Sequence, residues 1–166
     1  MRTRIETERM FLILASDEDM EELIAKSSNE VMKKAYSEML EGARQHPDKR
    51  AFYAAWLMKL KDDTARHIGD LCFKGITEDG MVEIGYGIKP EYEGNGYTTE
   101  AVLALAQWAY ERPGVTRVEA EAEESNTASI RVLNKAGFIP TGVMGTEGPR
   151  FVLKAANNRY IRCSYW

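Results

Sequence analysis

From Glu8 to Leu14 the chain is rich in apolar residues and reads as a strand. The polar stretch Ser16-Asp17-Glu18-Asp19 that follows resembles a helix-capping box. Met20, Leu23 and Ile24 then recur at helical spacing. A second helix is predicted from Glu30 to Arg44, with Val31, Ala35, Met39 and Leu40 on one face. It should stop before Pro47, because the residue ahead of a proline is steered away from helical dihedrals. Three strand-like segments follow: Ala51 to Leu60, His67 to Ile76 and Met81 to Ile88. The turns between them fall at Lys61-Asp62-Asp63 and Glu78-Asp79-Gly80, which reads as an antiparallel meander. Thr98 to Glu111 is helical and ends at Pro113-Gly114. In Val115 to Glu123, Val118, Ala120 and Ala122 alternate with Arg117, Glu119, Glu121 and Glu123, the period of a strand. Asn126 to Ala136 reads as a short helix ending at Gly137. Phe138 to Val143 and Arg150 to Lys154 read as two closing strands. The order β-α-α-β-β-β-α-β-α-β-β predicts a mixed sheet of α/β or α+β class.

Composition narrows this picture. The 166 residues suit one domain, here 1–166, large enough to bury a core without staples. Hydrophobic residues at 44% and charged ones at 29% exclude wholesale disorder. A net charge of −4 argues against a general nucleic-acid binder. The longest apolar run, Ala51 to Met58, is too short to span a bilayer, and Met1 to Glu6 has no apolar stretch of a signal peptide, so no membrane partner is expected. Cys72 and Cys163 form neither a disulfide framework nor a metal spacing, and His46 and His67 are the only histidines, so a cytoplasmic setting without a metal is expected. The tail, 155–166, has no place in the element order. Its aromatic segment Tyr160 to Trp166 is a candidate contact for a homodimer.

Chemistry concentrates between Ile84 and Glu100. A strand there runs into a loop with Gly94 and Gly96, and the loop opens a long helix. Free backbone N–H groups at such a helix start, together with its dipole, hold phosphate oxygens. The glycines would let the backbone bend and approach a ligand. A plain turn before a helix is the competing reading. No Gly-Lys-Ser/Thr follows, so this is not a P-loop. A dinucleotide fingerprint is excluded because the third glycine and a flanking parallel β–α–β unit are both missing. Gly85 and Gly87 lie inside the preceding strand, where either a bulge or a close ligand would explain them.

Three segments together resemble the GNAT superfamily of N-acetyltransferases: Thr7-Glu8-Arg9-Met10-Phe11-Leu12, Glu83-Ile84-Gly85-Tyr86-Gly87-Ile88 and Pro90-Glu91-Tyr92-Glu93-Gly94-Asn95-Gly96-Tyr97. Asn126-Thr127-Ala128-Ser129, running through Val132-Leu133 to Lys135-Ala136-Gly137-Phe138, is similar to a later motif of that superfamily. The RimJ/RimL-type branch is the nearest. The likeness extends to about Lys154. It implies a single GNAT-like domain with a mixed, mostly antiparallel central sheet flanked by helices. It also implies acetyl-CoA as co-substrate and a primary amine as acceptor, either a small molecule or a protein N-terminus. The cofactor-binding residues would be Ile88, Glu93, Gly94, Asn95, Gly96, Tyr97, Thr98 and Asn126. The usual loop pattern is Gln/Arg-x-x-Gly-x-Gly/Ala. This chain keeps Gly96 but carries Glu93 and Thr98 at the outer positions. An acidic Glu93 beside a diphosphate is repulsive unless it turns away, so weaker CoA binding than usual is expected.

Acetyl transfer to an amine needs a proton acceptor for the amine, a donor to the oxyanion and a proton for the leaving thiolate. Glu83, on the strand before the loop, is the candidate base. The alternatives for it are an exposed strand glutamate or a structural partner for a nearby arginine. Glu119 reads as part of a solvated strand face, and Glu121 remains open between that and the cleft wall. Ser129 would protonate the thiolate, the role suggested for the serine of this motif in the RimJ/RimL-type branch. Asn126 would either cap its helix or bond the pantetheine arm. Many superfamily members use a tyrosine further along. None aligns here unless Tyr160 or Tyr165 folds back. Arg131 and Lys135 would be solvated or reach CoA phosphates, and Val102, Leu105 and Trp108 read as core. The rival reading is a non-catalytic acyl-CoA-binding or interaction domain on the same fold.

Overall fold

The computed structural model describes residues 3–155. Tyr160 to Trp166 and Cys163 therefore lie outside the described residues. Eight strands form one open sheet in the order β1-β2-β3-β4-β5-β6-β8-β7. β1 (Arg4–Glu6), β2 (Met10–Leu14), β3 (Trp56–Leu60), β4 (His67–Ile76) and β5 (Met81–Ile88) are successive antiparallel neighbours. β6 (Arg117–Glu121) runs parallel to β5. β8 (Pro149–Leu153) inserts antiparallel between β6 and the edge strand β7 (Ile139–Met144). The sheet is thus mixed and mostly antiparallel, as expected.

The one parallel step corrects an expectation. Helix α3 (Tyr97–Tyr110) carries the chain back along the sheet between β5 and β6, which makes a β–α–β unit. Hydrophobic patterning carries no sign of strand direction. The dinucleotide fingerprint is now excluded by the missing third glycine alone. Two other elements also differ. β1 has three residues and a single fully buried side chain, Ile5, too little to show alternation. Ala51 to Leu60 divides: Pro47–Phe52 is a 3-10 segment and the strand begins at Trp56. Pro47 opens that segment with its fixed φ. The Arg50 guanidinium ties it to the Ala15 carbonyl and to Asp17, and the Trp56 indole N–H donates to the Ala51 carbonyl at 2.9 Å.

Strand alternation sends side chains to two faces. Trp56, Met58, Val82, Ile84, Val118 and Ala120 point to the main core. There α3, buried on most sides, packs across β1, β2, β5 and β6. Val102, Leu105 and Trp108 belong to this core as expected, with Trp108 against Phe52, Trp56 and Phe73. Helix α4 (Thr127–Lys135) sits beside α3 and contributes Leu133, with Ala136 just after it. On the opposite face α1 (Asp17–Lys26) and α2 (Glu30–Gln45) bring Met20, Tyr36 and Leu40 onto Leu57. Along β5 that second face carries Glu83, Gly85 and Gly87.

Candidate active site

β5 and β6 pair only from Met81–Glu83 to Arg117–Glu119. β5 continues to Ile88 while β6 ends at Glu121, so the strands part and the β6-facing edge of β5 has no partner strand there. A cleft of about 670 Å³ lies at the parting. Tyr86, Gly87 and Ile88 line it from β5, and Asn126, Ser129, Arg131 and Lys135 line it from α4 and its approach. The glycine loop and the first turn of α3 close the far end with Tyr92, Glu93, Gly94, Gly96, Tyr97, Thr98 and Thr99.

That helix start differs from the other three. Ser16 caps α1 in a capping box with Asp19, Asn29 caps α2, and Asn126 caps α4. α3 begins at Gly96 in the left-handed region, φ 80°, with no side-chain cap. Gly96, Tyr97, Thr98 and Thr99 of this uncapped start line the cleft, an arrangement that suits an anion. Arg131 and Lys135 add positive charge from the other wall.

The sequence profile of the acetyltransferase (GNAT) domain matches residues 6–139. The chain belongs to the GNAT acetyltransferase family. A curated relative, an uncharacterized N-acetyltransferase (YoaA) of Bacillus subtilis, is 29% identical over 150 residues, covering 84% of this chain and 85% of the relative. A solved acetyltransferase from Agrobacterium tumefaciens aligns over 91% of this chain and 94% of its own at 18% identity, with a TM-score of 0.70. RimL, a ribosomal α-N-protein acetyltransferase solved in complex with coenzyme A, aligns over 89% and 94% at 17% identity, with a TM-score of 0.68. These structures share the fold of the chain.

In this acetyltransferase the loop is held from the turn between β1 and β2. Arg9 Nε donates to Glu100 Oε2 at 2.7 Å, and Arg9 Nη1 donates to the Asn95 carbonyl at 2.9 Å. Its guanidinium lies over the Tyr97 ring at 4.3 Å. Glu100 Oε1 also accepts from Thr7 Oγ1 and from the Arg9 backbone N–H. Burial pushes the Glu100 carboxyl up, but the hydrogen bonds from Thr7 and Arg9 outweigh it and hold the group below its ordinary value.

Across the cleft, the Tyr86 and Ser129 hydroxyls are 2.8 Å apart in a hydrogen bond that bridges β5 and α4. Burial pushes the Tyr86 phenol up, against the pull of Ser129, so Tyr86 keeps its proton at neutral pH. The Ser129 N–H donates to Asn126 Oδ1 at 3.0 Å, so Asn126 caps α4 and lines the cleft at once.

Glu83 does not line the cleft. Its Oε1 accepts from Arg150 Nη1 at 2.8 Å and its Oε2 pairs with Lys74 Nζ at 2.9 Å. Arg150 also bonds Glu119 Oε2 through Nη2 and Nε, and Glu121 Oε1 through Nη1. The solvated face expected for Glu119 is corrected: the residue is 9% exposed, because Arg150 from β8 folds over it. Hydrogen bonds from the Glu147 N–H and from Arg150 hold the Glu121 carboxyl below its ordinary value.

Of the binding residues expected from the family resemblance, Ile88, Glu93, Gly94, Gly96, Tyr97, Thr98 and Asn126 line the cleft together with Ser129. Asn95 faces its own loop instead, donating from Nδ2 to the Tyr92 and Glu93 carbonyls. Sequence reasoning missed Tyr86, Arg9 and Glu100. All three lie within or next to the quoted motifs, but only their contacts show what they do. Among the described residues no group of three or more His, Cys, Asp or Glu side chains is placed to hold a metal ion, and no helix is long and apolar enough to cross a membrane.

Calorimetric titration with acetyl-CoA should separate the two influences on the loop. Glu93→Gln removes a negative charge from the glycine-loop end of the cleft and should tighten binding by about threefold to tenfold, less at high salt. Arg9→Ala frees the loop from the β1–β2 turn and should weaken binding by about tenfold. Arg150→Ala leaves Glu83, Glu119 and Glu121 facing one another without a shared cation. Urea unfolding at neutral pH should show a loss of about 3 kcal/mol.

Proposed function

We propose that this acetyltransferase moves an acetyl group from acetyl-CoA to a primary amine by direct attack, with no covalent enzyme intermediate. The observation that carries the reading is the uncapped N-terminus of α3 opening into the same cleft as the Tyr86–Ser129 hydroxyl pair. One end of the cleft suits phosphate oxygens and the middle suits a leaving thiolate. Between them the unpaired edge of β5 offers backbone groups to an amide-bearing arm such as pantetheine.

In this reading Gly94, Gly96, Tyr97 and Thr98 receive the diphosphate on backbone N–H groups, with Arg131 and Lys135 adding charge and Ile88 and Asn126 holding the arm. As the C–N bond forms and the C–S bond breaks, Ser129 gives its proton to the departing sulfur and recovers one from Tyr86, which regains its own from solvent. Glu83, or a water beside it, takes the proton of the amine. The ion pairs of Glu83 with Arg150 and Lys74 support the structural alternative for this residue. The acceptor class, small amine or protein N-terminus, belongs to this proposal too. The second reading, an acyl-CoA-binding or interaction domain without turnover, draws on Glu93 in the glycine loop of the cleft.

Calorimetry with acetyl-CoA, run beside desulfo-CoA and ATP, tests donor binding. Selective micromolar affinity is expected, and silence up to millimolar ligand would move the weight to the second reading. Release of free thiol with a panel of primary amines then reads turnover. Ser129→Ala and Tyr86→Phe should each lower kcat by about a hundredfold with acetyl-CoA affinity unchanged. Wild-type turnover in both Glu83→Gln and Ser129→Ala would sink the role assignment.

A further inference from the structure

Asp70 lies on β4, on the face of the sheet that α2 covers. The Tyr36 hydroxyl donates to Asp70 Oδ2 at 2.8 Å. Only 18% of the Asp70 side chain is exposed, and among the described residues no lysine or arginine pairs with it. His67 Nε2 is 4.0 Å away. Burial and the charge of Lys89 push the His67 imidazole below its ordinary value, so it brings no positive charge at neutral pH. Burial pushes the Asp70 carboxyl up, against the hydrogen bond from Tyr36 and the more distant Lys89. The contrast with Glu83, Glu119 and Glu121 is direct, since each of those carboxylates holds a cation. A largely buried carboxylate without a cation is costly, and an arriving cation would remove much of that cost.

Register places this carboxylate beside the reaction cleft. Asp70 is the direct partner of Gly87, and Cys72 is the partner of Gly85. Directly opposed residues of an antiparallel pair share a face, about 5 Å apart. Gly85 and Gly87 put no side chain on that face; a Cβ at Gly85 would meet Cys72 Sγ at 3.3 Å, whereas one at Gly87 would meet nothing within 4 Å. Bare backbone therefore separates Asp70 from Gly87's place in the cleft wall. Met32 stands one turn before Tyr36 on α2, 36% exposed, and sets an apolar side chain on the same side of the helix.

We propose that Asp70 is the anchor for the acceptor: besides the amine to be acetylated, the acceptor carries a second ammonium on an aliphatic stem, which enters over Gly87 and seats on this carboxylate. The inference rests on the transferase reading. It adds the subsite that holds the second substrate, on the face of β5 opposite Tyr86.

Titration of the protein with n-butylamine at neutral pH, followed by backbone amide NMR, tests it. Tetramethylammonium at matched ionic strength is the control that lacks N–H donors. Saturable shifts at Gly85, Gly87 and Tyr36 are expected in the wild type with n-butylamine only. Asp70→Asn, which keeps the size of the side chain, should weaken the response by about tenfold or more. Glu147→Gln, at an exposed carboxylate nearby, should leave it unchanged. Shifts that are absent from these residues in the wild type, or that persist in Asp70→Asn, overturn the proposal. If Asp70→Asn does not fold, the position of the wild-type shifts decides alone. Acetyl-CoA binding measured on the same samples is independent: its absence in the wild type overturns the transferase reading, whatever the amine does.

Discussion

The separation of two parallel strands governs this molecule. β5 and β6 share three register pairs and then part. Hydrogen-bonding capacity that a continuous sheet would use internally is left on the edge of β5, next to a helix start with no side-chain cap. Unused backbone polarity is costly when buried, so it survives only where a cleft keeps it accessible. The glycine loop, the α4 hydroxyl and the bare strip along β5 all meet at that gap.

Two arginines hold the gap from opposite sides. Arg9 reaches from the turn before β2 to fix the loop and the first turn of α3 through Glu100 and the Asn95 carbonyl. Arg150 reaches from β8 to Glu83, at the last paired position of β5, and to Glu119 and Glu121 on β6. A planar guanidinium with several donors suits both tasks, since each must satisfy acceptors from more than one element. The strands are thus pinned where they are about to part, and the cleft beyond that point inherits a fixed shape.

Much of this was legible in the sequence, for reasons that are local. The helices showed their period and their caps, as Ser16 and Asn126 illustrate, and the ordered motifs located the loop. What stayed hidden depends on contacts far apart in the chain. Tyr86 and Ser129 are 43 positions apart and Glu83 and Arg150 are 67 apart, and no local pattern couples either pair. Charge alternation in Arg117 to Glu123 suggested a wetted face because the covering arginine lies on another strand. β1 was too short to show a period, and the direction of β6 leaves no trace in hydrophobic spacing.

Helix α3 carries a further consequence. It is both the main buried helix of the core and the helix whose N-terminus is left open. Any anion seated on those N–H groups would complete the helix that the sheet packs against. Folding and occupancy are therefore thermodynamically linked: the supply of ligand becomes one of the variables that set how long the native chain survives, and a cell poor in that ligand would hold a more fragile population of the same protein.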